Sequence, residues 1–175
     1  HRQEAYEKNR AFRLRGKDIT AVVLSHAHID HCGNLPQLAR SGFHGKVWCT
    51  PATRDLARVM LLDAAQIQQR DVEHLARHQG EHIEPLYDEE DVNRILARFV
   101  AVPYGRSFEV ARGVQASFTD AGHIIGSAAV HLEIAEHGRE RVRLTFTGDL
   151  GRRGVPLLRD PAPLPPAELV LTEST

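Results

Sequence analysis

The sequence predicts an α/β domain. Short β-branched and apolar runs alternate with segments of helical period from Ile19 to Arg98, which is how strands joined by helices read. A series of strand-like runs separated by turn residues follows from Phe99 onward. The first run, Ile19–Ser25, is almost continuously apolar, as in a strand covered on both faces.

Taken in order, Arg2–Asp18 is polar and helix-like, and Ile19–Ser25 is the first strand. Leu35–Arg40 reads as a short helix, with Pro36 near its start and Gly42 just past its end. Val47–Thr50 is a short strand. Thr50-Pro51 then supplies an N-cap and first helical position. The helix it opens carries Leu56, Val59, Met60, Asp63 and Ile67 on roughly one face, and runs toward Gln79, where Gly80 stops it. Asp88 caps a further helix, Glu89–Arg98. The acidic run Asp88-Glu89-Glu90-Asp91 is therefore a helix start, favoured by the helix dipole, rather than a functional patch. Strands are expected at Phe99–Val102, Gly113–Thr119, Ser127–Ile134, Arg141–Thr147 and Glu168–Thr172. His137-Gly138 makes a hairpin-type turn, and Val155–Pro166 makes an ordered loop.

The chemistry concentrates in Ser25-His26-Ala27-His28-Ile29-Asp30-His31, which places three imidazoles and a carboxylate just past a strand end. Divalent metals such as zinc take His nitrogen and Asp oxygen, and a hydrolytic site leaves a position open for water. At an extended strand end, His26 and His28 point the same way. Asp30 and His31 follow once the chain turns, so they can face a second ion. So many titratable groups crowded together would be costly without a counter-charge. Two weaker features add to this. His123 sits in a glycine-flanked turn, Gly122–Gly126, and Leu144–Thr147 ends in Gly148-Asp149. The glycine suits a backbone that turns tightly or approaches another closely, and a carboxylate at Asp149 can bridge two cations.

The pattern His26-x-His28-x-Asp30-His31, then His123, then Asp149, resembles the metallo-β-lactamase superfamily of two-metal hydrolases. More narrowly, it resembles the β-CASP ribonucleases. The narrower likeness rests on His31-Cys32-Gly33-Asn34-Leu35-Pro36, Gly122-His123-Ile124-Ile125-Gly126-Ser127, Gly148-Asp149-Leu150-Gly151-Arg152 and the closing Thr172-Glu173-Ser174-Thr175. The resemblance implies an αββα-type fold. It implies a first zinc held by His26, His28 and His123, a second held by Asp30 and His31, and Asp149 bridging the two. It further implies that Asp30 orients or deprotonates the attacking water, and that Glu173 supports a general-acid histidine further along. The substrate it implies is single-stranded RNA, hydrolysed at phosphodiester bonds. It leaves open exonucleolytic or endonucleolytic cutting, zinc or manganese, and a homodimer.

Set against that family, residues 1–175 are expected to be an internal part of one metallo-β-lactamase domain. Its first strands would precede His1, and the β-CASP region would begin at about residues 173–175. The second metal would then be under-liganded within these residues.

Composition is ordinary for a soluble globular protein, with 42% hydrophobic and 26% charged residues. A net charge of −1 gives no global electrostatic drive toward nucleic acid, so any RNA surface must be local. Arg152 and Arg153, next to Asp149, are candidates for phosphate contact. Cys32 and Cys49 form no Cys-x-x-Cys pair and are expected to be reduced and buried. No long apolar run or signal-type segment appears, so the expectation is a cytoplasmic protein with no membrane partner. His74 and His78, four apart on a helix, are read as a solvated face. His44, His82, His131 and His137 are read likewise. The rival readings are a thioester or lactone hydrolase of the same fold and a non-enzymatic scaffold, since fold and metal do not fix substrate.

Overall fold

A computed structural model describes residues 15–79, 84–135 and 140–174, together with Asn9. After a single 3-10 turn at Gly16–Asp18, the elements are β1 (Ala21–Val23), α1 (Ile29–Cys32), α2 (Leu35–Arg40), β2 (Lys46–Cys49), α3 (Pro51–Gln79), α4 (Glu89–Leu96) and β3 (Phe99–Ala101). They continue with β4 (Phe108–Ala111), β5 (Val114–Asp120), β6 (Ala128–Ile134), β7 (Val142–Phe146) and β8 (Leu169–Leu171). The parallel strands β1, β2 and β3 make one sheet in that order, each joined to the next through helices. The other sheet runs β4-β5-β6-β7-β8, antiparallel except for the parallel pair β7 and β8.

The side-chain alternation of a strand explains the layering. On β2, Val47 and Cys49 face the helices and join Leu35, Leu38, Leu61, Val92 and Ile95 in one core. Trp48 faces the other way and joins Phe118, Ala128 and Val130 of the second sheet. The order is thus helices, parallel sheet, mixed sheet. The expectation that the first strand is covered on both faces holds in this sense, with Val22 against the first core and Ala21 and Val23 against the second.

Several expectations need correction. The first strand is three residues long, because after Leu24, whose N–H still bonds β2, the backbone turns to the other sheet and forms the histidine loop. The helix expected over Glu89–Arg98 ends at Leu96. Strand β4 was not anticipated, since its four residues include Glu109 and follow a turn without an apolar run. The buried stripe of α3 is Ala57, Leu61 and Ala65, whereas Val59, Met60 and Ile67 are exposed. The small alanines pack into the core that Val47 and Cys49 of the parallel sheet share, so the helix buries this face. His131 is buried rather than solvated, held between Thr119 and Thr145 at 2.8 and 2.9 Å. The expected turn at His137-Gly138, the stop at Gly80, His82, the His78 side chain and most of the helix-like start fall outside the described residues.

Asp88 does cap α4. Its carboxylate accepts from Asp91 N at 2.9 Å, and Asp91 returns the contact to Asp88 N, so the acidic run is structural. Both cysteines are free and buried, and burial pushes each thiol up to about 12. Among the described residues, no helix is long and apolar enough to cross a membrane.

Candidate metal centre

Loops from both sheets meet at one edge of the sandwich. His26 and His28 follow β1, and His31 lies on α1. His123 lies in the β5–β6 turn, and Asp149 follows β7. Backbone bonds fix these loops to one another. Leu24 N donates to Trp48 O at 2.8 Å, and Ala128 N donates to Ser25 O at 2.9 Å, so the histidine segment is tied to both sheets. Gly148 has φ +54°, and a Cβ there would lie 2.9 Å from Ser25 Cβ. Both reasons for glycine before Asp149, a tight turn and a close approach, therefore operate.

The side chains converge as donor sets. His28 Nδ1 lies 3.1 Å from His26 Nε2 and 3.1 Å from His123 Nε2. Asp149 Oδ2 lies 3.6 Å from His26 Nε2 and 3.3 Å from His123 Nε2. The other oxygen, Oδ1, lies 3.4 Å from His31 Nε2. One carboxylate thus faces two groups of imidazoles with its two oxygens. Oδ1 is buried and makes no hydrogen bond, an arrangement costly for a carboxylate unless a cation completes it. Three imidazole nitrogens and a carboxylate oxygen within 4.8 Å of one another make the donor chemistry of a zinc-type site. Burial, and then the neighbouring His31, hold the His26 imidazole down at about 4, so it is neutral and able to donate a lone pair at pH 7. Ser25 Oγ sits 3.1 Å from His26 Nδ1, a partner that leaves Nε2 facing the other donors.

Of the residues singled out in the sequence, His26, His28, His123 and Asp149 form one set, and His31, Asp149 and Glu173 form another. Asp30 stands outside both. Its side chain is 70% exposed, with Oδ2 3.6 Å from His31 Nε2. Arg152 and Arg153 are exposed near Asp149, and Cys32 donates its thiol proton to Ala27 O instead of facing the donors.

The residues that hold the His123 turn were not read from the sequence. Ser127 Oγ accepts from the backbone N–H groups of His123 and Ile124 at 3.0 and 3.2 Å. Thr50 and Thr53 both donate their hydroxyls to Gly126 O, at 2.7 and 2.8 Å. Thr50 also caps α3 by accepting from Thr53 N at 3.2 Å, as expected of an N-cap. Its cap position was visible in Thr50-Pro51, but the partner 76 residues away was not.

The chain matches the metallo-beta-lactamase superfamily over residues 2–174. It belongs to that superfamily. Its members are metal-dependent, in keeping with the clustered His and Asp donors here. Similar proteins include the transcription termination factor FttA of Methanocaldococcus jannaschii, 33% identical over 161 residues that cover 91% of this chain and 23% of that protein. FttA of Cenarchaeum symbiosum is 33% identical over 177 residues, covering 100% of this chain and 25% of that protein. Ribonuclease TTHA0252 of Thermus thermophilus is 35% identical over 173 residues, covering 99% and 36%. The chain thus spans between about a quarter and a third of the length of these relatives.

Proposed function

We propose that this chain carries most of the metal centre of a β-CASP-type ribonuclease, which hydrolyses phosphodiester bonds of single-stranded RNA in the cytoplasm with two zinc ions. The observation that carries the reading is Asp149, whose two carboxylate oxygens face separate imidazole groups. His26, His28 and His123 would hold one ion, Asp30 and His31 the other, and Asp149 both. The RNA substrate is supported by the ribonuclease and termination-factor names of the relatives and by the Gly122–Ser127 and Thr172–Thr175 segments. The domain reading, with residues 1–175 as part of one metallo-β-lactamase domain, goes with it.

When bound, such ions supply Lewis acidity, lowering the pKa of water and taking up charge on phosphate oxygens. The chain's own residues do the rest. Ser25 and the two-sheet anchoring keep the His26 ring in one orientation. Asp30, exposed at the rim beside His31, would receive a proton from the attacking water. Arg152 and Arg153 give an otherwise near-neutral chain two cations beside the centre for phosphate. The test is a substrate panel given to the zinc-loaded intact gene product: labelled single-stranded RNA, a thioester and a lactone. Cleavage of RNA alone is expected. Turnover of the thioester or lactone with RNA intact would replace this reading with a small-molecule hydrolase.

A further inference from the structure

We propose that the end of the sandwich remote from the metal centre binds a nucleotide, with Lys46 and Arg112 on its phosphate, Glu109 on its ribose, and Trp48 and Val110 against its base. These residues take no part in the metal centre, so the site does not depend on the ribonuclease reading.

Strand alternation builds this end. Trp48 faces the mixed sheet, so Lys46, two residues earlier on β2, faces the same way. The two side chains meet, with Lys46 Nζ 5.1 Å from the centre of the Trp48 ring. Phe108 of β4 stacks on the same indole, ring centres 4.8 Å apart, and fixes its plane. An apolar side chain at position 46 would close the layer between the sheets. The exposed lysine leaves it open. A cavity of about 500 Å³ results between β1, β2 and β4, with Ala21, Lys46, Trp48, Glu109, Val110 and Arg112 in its walls. Arg112 joins it from the tight turn between β4 and β5, where Gly113 takes φ +78°. Strand β5, from Val114 to Asp120, separates this end from the His123 turn by roughly 20 Å at the rise of an extended chain.

The lining selects the ligand class. Lys46 and Arg112 make no ion pair among the described residues, and His44 adds a third nitrogen to the walls. Cations gathered without a counter-charge in a chain of net charge −1 suit an anion, and a guanidinium fork matches phosphate oxygens. Glu109 repels a bare anion but accepts from hydroxyl groups, so a phosphate attached to a sugar fits better than a free one. The Trp48 Nε1–H is buried with no acceptor among the described residues. A buried donor of this kind calls for an acceptor, which the ring nitrogens and carbonyls of a base supply. The volume lies within the roughly 300–1,000 Å³ typical of small-molecule sites.

The test is photolabelling of the zinc-loaded intact gene product with 8-azidoadenosine 5′-monophosphate, followed by peptide mapping. AMP, inorganic phosphate and a single-stranded oligoribonucleotide serve as competitors. Saturable labelling is expected on the peptides that carry Trp48 or Val110. Losing one charge-assisted contact should weaken it by at least about tenfold in Lys46→Glu and in Arg112→Glu, with Lys46→Arg close to the wild type. Zinc content should stay the same in all three variants, which shows that they fold. Displacement at lower concentration by the oligoribonucleotide than by AMP identifies the nucleotide as part of an RNA strand, and the reverse order identifies it as a free nucleotide. Labelling confined to peptides of the metal centre, or undiminished in Lys46→Glu and Arg112→Glu, would overturn the proposal. So would inorganic phosphate that competes as well as AMP, because the ribose and base would then contribute nothing.

Discussion

Replacing Gly126 by Ala should release the His123 turn. Gly126 has φ +85°, a conformation that costs an L-residue roughly 1–2 kcal/mol. The added Cβ would stand 2.6 Å from Thr53 N, 2.8 Å from Ala52 Cβ and 2.9 Å from Thr50 Oγ1. The first of these is backbone at the start of a 29-residue helix, so it cannot yield cheaply. Overpacking of this kind costs roughly 1–3 kcal/mol, for a total of about 2–5 kcal/mol. The fold can accept that loss outright, or the turn can lift away and surrender the two hydroxyl bonds to Gly126 O. His123 moves with the turn, so the second route weakens the first metal site. Urea unfolding of the zinc-loaded protein, paired with zinc competition, reads both routes. Either a stability loss of about 2–5 kcal/mol or a first-site affinity loss of at least about tenfold is expected. A Gly126→Ala protein matching the wild type in both would refute the claim that this contact positions His123.

Other consequences are testable together. His131 is held neutral by burial, with its pKa lowered. As pH falls below the ordinary histidine range, near about 6.5, the unfolded chain takes up this proton first, so stability declines with falling pH until the folded pKa is reached. His131→Gln should reduce that slope between pH 7 and 5 in urea midpoints of the zinc-loaded protein, and an unchanged slope would count against it. Metal binds the folded donor set and not the dispersed one. Chelation should therefore lower stability, by about 4 kcal/mol if free zinc stands at 1,000 times its dissociation constant. An unfolding midpoint indifferent to chelator would mean that the donors do not hold zinc.

The centre was partly legible in the sequence for a local reason. His26, His28 and His31 share one segment, so residue type and spacing alone cluster their rings. His123 and Asp149 were weak signals singly, because a glycine turn and a Gly-Asp strand end occur in many folds. Glu173 was singled out through the family resemblance, but its place beside His31 lay beyond local reading. Its closeness to His31 depends on a parallel strand register spanning 25 residues between Thr147 and Thr172. The same limit applies in the fold. The buried face of α3 carries Ala57 and Ala65 in the core, small residues that no periodicity of large residues announces. His131 occupies a strand position that looks solvent-facing, yet Pro165 and Pro166 return to line the same cavity. The helix start at Asp88 was legible because a capping box is wholly local.

The central claim is that this metal centre hydrolyses RNA, with Asp149 joining its two halves. The most direct measurement sets zinc content beside cleavage of labelled single-stranded RNA, for the intact gene product and its Asp149→Asn variant. The account predicts two zinc ions and cleavage in the wild type, with weakened zinc binding and no cleavage in the variant. A wild-type protein that holds two zinc ions and leaves RNA intact, or a variant that cleaves as well as the wild type, would contradict it.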